Sequence, residues 1–391
     1  MSSICLHNGT VMTGFAAMER CAVLVEDGLI ADVFSRKRFE QKHFGTDTQV
    51  IDVNEASIAP GFIDTHIHGF GGWGTEDDSA DSILEMSRLL VQYGVTAFNP
   101  TLYPAKPGHM LKVVKEAASA IGREDGAQIM GLHLEGPFIS PQRLGAMKAE
   151  ALQSVDMGFM EKLWEAAEGR IVNMTVAPEL KGMRELALFC LKKGIILQAG
   201  HTDANYENMV EGMQTGILHS THLFNAMSRM EHRNPNAVGA VLIHPEMSCE
   251  IIADGFHIHP DLYKLLLRDK PIDKIVLITD ALKPTEQGRG PFLANGDEMI
   301  FRDVVFHRMA DDVITGSALT MIRGIKNLVS FGFSLDDAVK TASFNPAQVM
   351  RYSNKGAIIP GRDADLVVFD KGFRVLAVVA GGKIKKNLYE D

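Results

Sequence analysis

Apolar positions at the two ends of the chain form short runs separated by turns. Near the start, Cys21 to Val25 and Leu29 to Phe34 flank a turn that contains Asp-Gly. Near the end, Ala364 to Phe369 and Val375 to Val379 flank a second turn that ends in glycine. Such spacing indicates β-hairpins. Because neither segment can bury its apolar face alone, we expect the two ends to meet in one small β-sandwich.

Between the ends, apolar strand-like runs alternate with amphipathic helix-like segments. The predicted strands are Ile58 to Asp64, Val95 to Asn99, Gln128 to Glu135, Ile171 to Val176, Ile195 to Gly200, Ile217 to His222, Ser248 to Ala253 and Ile275 to Thr279. The clearest predicted helices are Ser82 to Tyr93, Pro107 to Ile121, Lys181 to Lys193 and Pro260 to Arg268. Strands that alternate with helices pair in parallel, and eight such units predict an α/β fold with a closed (β/α)₈ barrel of the TIM type.

This pattern divides the chain into two expected domains. Residues 57–354 would form the barrel, and residues 1–56 with 355–391 would form the small β-sandwich. A doubly wound open sheet is the alternative architecture. It lacks support because no Gly-x-Gly-x-x-Gly turn follows the first predicted strand.

Composition narrows the class of protein. The chain has 391 residues, 46% of them hydrophobic, and a net charge of −10, which opposes general attraction to nucleic acid or anionic membranes. The four cysteines lie far apart, as expected of reduced core residues. The sequence shows neither a signal peptide nor a long uninterrupted apolar run, so we expect a cytoplasmic protein without membrane spans.

The first predicted barrel strand stops at two histidines. Residues two apart on an extended chain face the same way, so His66 and His68 can point at one metal ion. Two histidines in an ordinary surface loop are the alternative. The buried run before them and the glycines at positions 69, 71, 72 and 74 favour a metal site.

Metal-capable side chains also follow most of the other predicted strands. They are Glu135 after strand three, His201 after strand five, His222 after strand six, Asp254 and His257 after strand seven, and Asp280 after strand eight. The carboxyl ends of barrel strands carry the active site, so these residues are expected to converge. His133, two residues before Glu135, shares its face and is expected to support the site rather than bind the metal.

Several motifs resemble the amidohydrolase superfamily and, within it, the N-acetylglucosamine-6-phosphate deacetylase family. Two are typical of the narrower family, His133-Leu134-Glu135-Gly136-Pro137-Phe138 and His222-Leu223-Phe224-Asn225-Ala226-Met227. The resemblance extends over nearly the whole chain through Thr65 to Gly69, Ala199 to Thr202, Thr279 to Ala281, Thr315 to Leu319, Asn345 to Ala347 and Pro360 to Leu366.

The resemblance implies a divalent metal, zinc or iron, with one or two ions per chain. Glu135, His201 and His222 would bind the main catalytic ion and leave a position open for water. Some family members lack the first-strand histidines, whereas this sequence keeps His66 and His68. A second ion bridged by Glu135 is therefore expected.

Asp280 is the predicted general base and acid. At the end of strand eight it can take a proton from the attacking water and pass it to the leaving amine. Its alternative role is that of a helix N-cap, for which aspartate is a preferred residue.

The resemblance also implies how the substrate binds. Asn225, the backbone of Ala226, Arg233 and His257 would hold a sugar phosphate, with Arg233 contributed by the neighbouring subunit of a homodimer. Ala146, Met147, Thr315 and Gly316 complete the predicted substrate-binding set. A solvated charge in a loop is the alternative for Arg233.

Met147 departs from the family, which usually has histidine or glutamine there to help polarise the substrate carbonyl. Methionine cannot donate a hydrogen bond. The expected reaction is nevertheless hydrolysis of the N-acetyl group of N-acetylglucosamine 6-phosphate, a small amino-sugar phosphate. The alternatives are the galactosamine isomer, a cyclic amide, and a non-enzymatic scaffold.

Overall fold

A computed structural model describes residues 3–389. Its N-terminal segment contains Ser3–Met12 (β1), Ala17–Glu26 (β2), Leu29–Ser35 (β3), Arg36–Gln41 (α1), Thr48–Asp52 (β4) and Ser57–Pro60 (β5). Strands β1, β2 and β3 pair in antiparallel order, whereas β4 and β5 pair in parallel with successive parts of β1. These strands belong to the small sheet.

The run Ile58 to Asp64 is not a single barrel strand as predicted. Its first half lies in β5 of the small sheet, and the barrel strand begins at Phe62. The change occurs across one residue, because Gly61 N donates to Asp365 O at 2.9 Å and Phe62 N to Gly94 O at 3.0 Å. The run looked continuous because both halves are buried. Glycine is required at 61, where a Cβ would lie 2.1 Å from Thr96 Oγ1.

The next segment supplies the barrel strands. They are Phe62–Ile67 (β6), the hairpin Gly69–Phe70 (β7) and Trp73–Gly74 (β8), Val95–Leu102 (β9), Gln128–Ile129 (β10), Leu132–Glu135 (β11), Ile171–Val176 (β12), Ile196–Ala199 (β13), His219–Ser220 (β14), Ser248–Ile252 (β15) and Ile275–Ile278 (β16). The β7–β8 hairpin lies outside the barrel sheet. Strands β10 and β11 pair with successive parts of β9 and act as one interrupted strand.

All pairings within the barrel sheet are parallel, and β9 joins β6 to β11. The circle is completed between the last and first strands, where Asp280 N donates to His66 O at 2.9 Å and His68 N to Ala281 O at 3.0 Å. Eight parallel strands in a near-closed ring confirm the predicted barrel, and the open-sheet alternative is wrong.

Helices follow the barrel strands. They are Ala80–Leu90 (α2), Pro107–Ala120 (α3), Met157–Ala166 (α4), Met183–Lys193 (α5), Tyr206–Gln214 (α6), Asn236–Ile243 (α7), Leu262–Asp269 (α8), Met321–Ser330 (α9), Leu335–Ala342 (α10) and Phe344–Val349 (α11). In α2 the buried residues Ile83, Met86 and Leu90 recur at helical spacing, which packs one face on the barrel. Within residues 3–389, no helix is long and apolar enough to cross a membrane.

A four-stranded antiparallel sheet that the sequence did not predict lies between β16 and α9. Its strands are Pro291–Ala294 (β17), Asp297–Arg302 (β18), Val305–Arg308 (β19) and Ile314–Ser317 (β20). The sheet packs over a small core of its own, formed by Leu282, Ala294, Met299, Phe306 and Ala318. The strands are short and half exposed, so their apolar pattern is weak.

The C-terminal strands Leu366–Phe369 (β21), Val375–Ala380 (β22) and Lys383–Asn387 (β23) return to the small sheet. Strand β21 pairs with β5, and the two limbs of the sheet approach each other where Ile30 N donates to Arg362 O at 2.8 Å. Leu6 and Val23 from one chain end share a core with Leu366 and Val379 from the other. The expected joining of the chain ends in a β-rich domain is confirmed.

Candidate active site

Six side chains converge at the carboxyl end of the barrel and form what we call the floor of the site. The floor consists of two groups, His66 with His68 and Asp280, and Glu135 with His201 and His222. Within each group the candidate ligand atoms lie within 4.8 Å of one another, and all six residues are buried. These six positions, predicted from the sequence, therefore have the geometry of a metal centre.

Glu135 lies between the two groups. Its Oε2 is 3.0 Å from His68 Nε2, and its Oε1 is 3.1 Å from His201 Nε2 and 3.0 Å from His222 Nε2. Oε2 therefore faces the first group, and Oε1 faces the second group while also lying 3.5 Å from His66 Nε2 of the first. A carboxylate in this position can bridge two cations.

Three buried polar atoms of the floor, His66 Nε2, Glu135 Oε2 and His222 Nδ1, make no hydrogen bond among the described residues. His66 Nε2 is 3.5 Å from both Glu135 Oε1 and Asp280 Oδ1, and it makes no hydrogen bond. His201 Nε2 and His222 Nε2 lie 3.2 Å apart while both face the same carboxylate oxygen. Imidazole nitrogens and carboxylate oxygens that converge in this way fit a divalent zinc or iron ion.

Hydrogen bonds on the far side of three rings hold their Nε2 atoms toward the centre. His68 Nδ1 is 3.0 Å from Thr101 O, and His201 Nδ1 is 2.9 Å from Arg143 O. His66 Nδ1 is instead 3.0 Å from the carboxylate of Glu250. Such contacts fix the tautomer and orientation of a metal-binding histidine.

The backbone is also strained around the floor. His201, His222 and Asp280 have φ of 45°, 23° and 49°, and Ala226 on the adjoining loop has φ of 48°. Non-glycine residues rarely adopt such values, and they occur most often at functional sites. At His201, His222 and Asp280 the backbone turns sharply just after a barrel strand ends.

Buried carboxylates give the floor a strongly negative electrostatic environment. Burial alone would lower the pKa of His66, but Glu135, Asp280 and Glu250 raise it well above its usual value. Burial likewise opposes ionisation of Glu135, yet His66 and the other imidazoles lower its pKa well below the usual value. In the absence of a metal, positive charge is therefore favoured as protonated imidazole, and a divalent cation would take its place.

Asp280 follows β16 and lies 3.5 Å from both His66 Nε2 and His68 Nε2. No helix begins directly after it, because the next elements of the described chain are the strands β17 to β20. The helix N-cap alternative is therefore wrong. Its carboxylate borders a cavity that can admit water.

A cavity of about 270 Å³ opens above the floor. Seven of the eight predicted substrate-binding residues line it and form what we call the rim: Ala146, Met147, Asn225, Ala226, His257, Thr315 and Gly316. Thr315 and Gly316 come from β20 of the unpredicted antiparallel sheet. The neighbouring Gly145 has φ of 56°, a left-handed conformation that favours glycine in the loop leading to Met147.

His257 is held by Asp254. Its Nδ1 lies 2.6 Å from Asp254 Oδ2, and its backbone N donates to Asp254 Oδ1 at 2.9 Å. Burial alone would lower the pKa of His257, but Asp254 raises it above its usual value. The raised pKa favours the protonated ring, whose second N–H can donate to an anionic group of a ligand.

Arg233 is the exception among the predicted substrate-binding residues. It is exposed, and it is not among the residues that line the cavity of its own chain. Its segment lies before α7, and its neighbours Glu231, His232 and Asn234 are exposed as well.

Sequence reasoning missed three residues of the site. Glu250 lies in β15 beneath His66, Tyr103 stacks on His68 with ring centroids 3.9 Å apart, and Phe256 lines the cavity although 49% exposed. A charged residue inside the apolar run Ser248 to Ala253 was the available signal for Glu250. His133 bonds Thr101 and Thr175 and lies outside both ligand groups, in agreement with the expected supporting role.

Known proteins resemble this chain over nearly its whole length. A model of the amidohydrolase family matches residues 57–385. The N-acetylglucosamine-6-phosphate deacetylase of Lysinibacillus sphaericus is 31% identical over 389 residues, which is 98% of each chain. The N-acetylgalactosamine-6-phosphate deacetylase of Escherichia coli O157:H7 is 28% identical and covers 84% of this chain and 87% of its own.

Solved structures agree with this assignment. An aspartate-to-alanine variant of N-acetyl-D-glucosamine-6-phosphate deacetylase from Mycobacterium smegmatis, in complex with N-acetyl-D-glucosamine-6-phosphate, superposes with a TM-score of 0.91 at 27% identity. The match covers 99% of this chain and 100% of that one. From the family match and these relatives, the chain belongs to the N-acetylglucosamine-6-phosphate deacetylase family of the amidohydrolase superfamily.

Proposed function

We propose that this protein is a metal-dependent hydrolase that removes the N-acetyl group of N-acetylglucosamine 6-phosphate, giving glucosamine 6-phosphate and acetate. The observation that carries the proposal is a floor of two ligand groups joined by Glu135, with Asp280 beside them and the His257–Asp254 pair in the same cavity. The deacetylases that resemble the chain over 98% of its length support the same reaction.

The floor residues would hold the metal. Glu135, His201 and His222 form one position, and His66, His68 and Asp280 form the other, with Glu135 Oε2 also 3.0 Å from His68 Nε2. When bound, a divalent zinc or iron ion polarises a carbonyl and lowers the pKa of water. We propose two ions per chain, because both ligand groups are complete and buried.

Asp280 moves the proton. Its carboxylate accepts a proton from the water that attacks the amide carbonyl carbon, and it then gives that proton to the amine nitrogen as the carbon–nitrogen bond breaks. The products are acetate and the free amine. The buried position of Asp280 beside two imidazoles holds it close to the reacting atoms.

The phosphate would bind at the opposite end of the cavity. His257 would supply a positive ring, and Asn225 and the backbone of Ala226 line the same cavity. We propose that Arg233 reaches this phosphate from the neighbouring subunit, since it is exposed and lies off the cavity of its own chain. The active unit would then be a homodimer.

Two further assignments follow from the sequence. We propose that residues 57–354 form the barrel domain, which carries the whole catalytic floor, and that residues 1–56 and 355–391 form the small domain; at this boundary Ser57–Pro60 pairs within the small sheet. We also propose a cytoplasmic location, because Cys5, Cys21, Cys190 and Cys249 are free and buried among the described residues, which suits a reducing compartment.

The galactosamine isomer is the second candidate substrate. It is favoured by the similarity to the Escherichia coli galactosamine enzyme and by Met147, which changes the polarity of the rim. A cyclic amide fits less well, because it offers no phosphate for His257 and Arg233. A scaffold without catalysis would have no use for an intact floor and Asp280.

The test is acetate release from a matched panel of N-acetylglucosamine and N-acetylgalactosamine, each with and without 6-phosphate. Protein of measured metal content should hydrolyse N-acetylglucosamine 6-phosphate fastest. A faster reaction with the galactosamine isomer would make N-acetylgalactosamine 6-phosphate the first candidate substrate. Equal rates with and without phosphate would contradict the assignment of the rim.

A further inference from the structure

Glu250 is a buried carboxylate beneath the floor that the proposed mechanism does not use. It lies in β15 and is 0% exposed. Its Oε2 is 3.0 Å from His66 Nδ1 and also accepts from His222 N at 3.3 Å. Its Oε1 accepts from Gln198 Nε2 at 3.2 Å. One carboxylate thus contacts a residue from each of the two ligand groups.

The contact to His66 decides how that ring can bind a metal. A metal-binding Nε2 must be unprotonated, so the ring proton has to sit on Nδ1 and be donated to a partner. His68 and His201 have backbone carbonyls as partners, whereas His66 has the charged oxygen of Glu250. A carboxylate partner makes His66 the more basic ligand.

Charge gives Glu250 a second effect. Three carboxylates, Glu135, Asp280 and Glu250, surround four imidazoles in a volume largely closed to water. With one divalent ion bound, one of these negative charges remains to be matched by a protonated imidazole or by a second cation, and Glu250 places its charge 3.0 Å from the His66 ring. Removing the charge of Glu250 therefore weakens the attraction of this position for a second cation.

We propose that Glu250 is the positioning residue that gives this protein its second metal ion, by holding His66 as a ligand and by supplying the buried negative charge that the ion neutralises. The inference rests on the proposed function for the nature of the site as a metal centre. It does not depend on which sugar is the substrate.

A purely structural role for Glu250 makes a different prediction. Gln198 and His219 also surround its Oε1, with His219 Nε2 at 3.7 Å, so the carboxylate could simply tie the strands together. In that case its loss would lower stability and leave the number of bound ions unchanged.

The test is Glu250→Gln, which keeps the size of the side chain and an oxygen acceptor but removes the charge. Metal-free protein is titrated with Zn²⁺ by calorimetry, and the content of the dialysed protein is measured by metal analysis. We expect the parent to bind two ions and the variant to bind the second about 10- to 100-fold more weakly. Two ions bound with parental affinity would overturn the proposal.

Two more variants sharpen the result. Glu76→Gln is the control for a nearby charge without contact, because Glu76 is a mostly buried carboxylate whose charge acts on His68, but it accepts from Asn295 N and makes no hydrogen bond or ion pair with a floor residue. It should keep both ions. Glu250→Asp keeps the charge but shortens the side chain, so it should retain the second ion better than Glu250→Gln. The reverse order would also overturn the proposal.

Thermal unfolding of the metal-free proteins distinguishes a purely structural role of Glu250 from a role in metal binding. A large loss of stability with unchanged ion binding would assign Glu250 to packing alone and refute the inference. Acetate release by the parent protein tests the proposed function separately, so a failure of one idea does not hide a failure of the other.

Discussion

The floor and the rim of the cavity are built in different ways. Every floor residue lies at or just after the carboxyl end of a barrel strand, is buried, and lies among the other ligands at 3.0 to 3.5 Å. The rim comes from loops and from the antiparallel sheet β17 to β20, and it includes the apolar Met147. In such an arrangement the barrel determines the reaction, whereas its loops determine which molecule binds.

The largest effect should come from the first-strand histidines. In His66→Asn/His68→Asn the second ion loses both imidazoles of its position, so we expect turnover to be nearly abolished and the metal content to fall from two ions to one. Metal analysis and acetate release on the same preparations measure both quantities. Full activity with one ion per chain would show that the first-strand histidines of the floor are not essential for the reaction.

Asp280→Asn should have the next largest effect. The amide cannot accept the proton from water, so turnover should fall by at least about 10²-fold. Substrate should still bind, because the proposed phosphate contacts do not involve Asp280. Single-turnover acetate release measures the loss of turnover, and a binding titration measures the substrate affinity. Near-normal turnover would remove Asp280 from the mechanism.

Arg233→Ala should act on binding alone, because Arg233 lies outside the floor and is proposed to reach the phosphate from the neighbouring subunit. Loss of a charge-assisted bidentate contact should raise KM for the phosphorylated sugar by about 10- to 100-fold and hardly change it for the unphosphorylated sugar. Steady-state kinetics with both substrates are the measurement. Equal changes in both would indicate a structural role.

The same variant tests whether the rim is shared between subunits. Mixing Arg233→Ala with Asp280→Asn protein should restore some activity, because a hybrid dimer contains one site with both native residues. No recovery after verified subunit exchange would place Arg233 outside the partner's site.

Asp254→Asn should change how the rim responds to pH. Asp254 raises the pKa of His257, so the cationic ring persists above its usual pH range and is lost as pH rises through the raised pKa. Removing the carboxylate should lower that pKa. KM for the phosphorylated sugar should then begin to rise at lower pH than in the parent, as measured from about pH 6 to 9. Identical profiles would show that His257 is not the titrating group.

The floor could be predicted from sequence because its residues directly follow apolar runs, and the carboxyl ends of parallel strands must meet. Glu250 could not be identified in the same way, since its role comes from a contact with His66, which is 184 positions away in sequence. The sheet β17 to β20 escaped prediction because Leu293 and Ile300 are exposed rather than buried at regular spacing. In β5 the apolar pattern was detected, but it cannot specify which of two sheets a buried strand joins.

The smallest effect should come from Met147, the rim residue closest in role to the floor. Amide hydrolysis needs a group that stabilises negative charge on the carbonyl oxygen, and loss of one such donor in other enzymes costs about 10²–10³ in rate. Methionine cannot donate a hydrogen bond, so the two-ion floor would have to supply this stabilisation. Met147→His should therefore change turnover little in the parent. In the His66→Asn/His68→Asn background it should restore part of the lost rate, as measured by acetate release at matched metal content. A hundredfold acceleration of the parent would mean that the rim, and not the floor, limits stabilisation of the carbonyl oxygen.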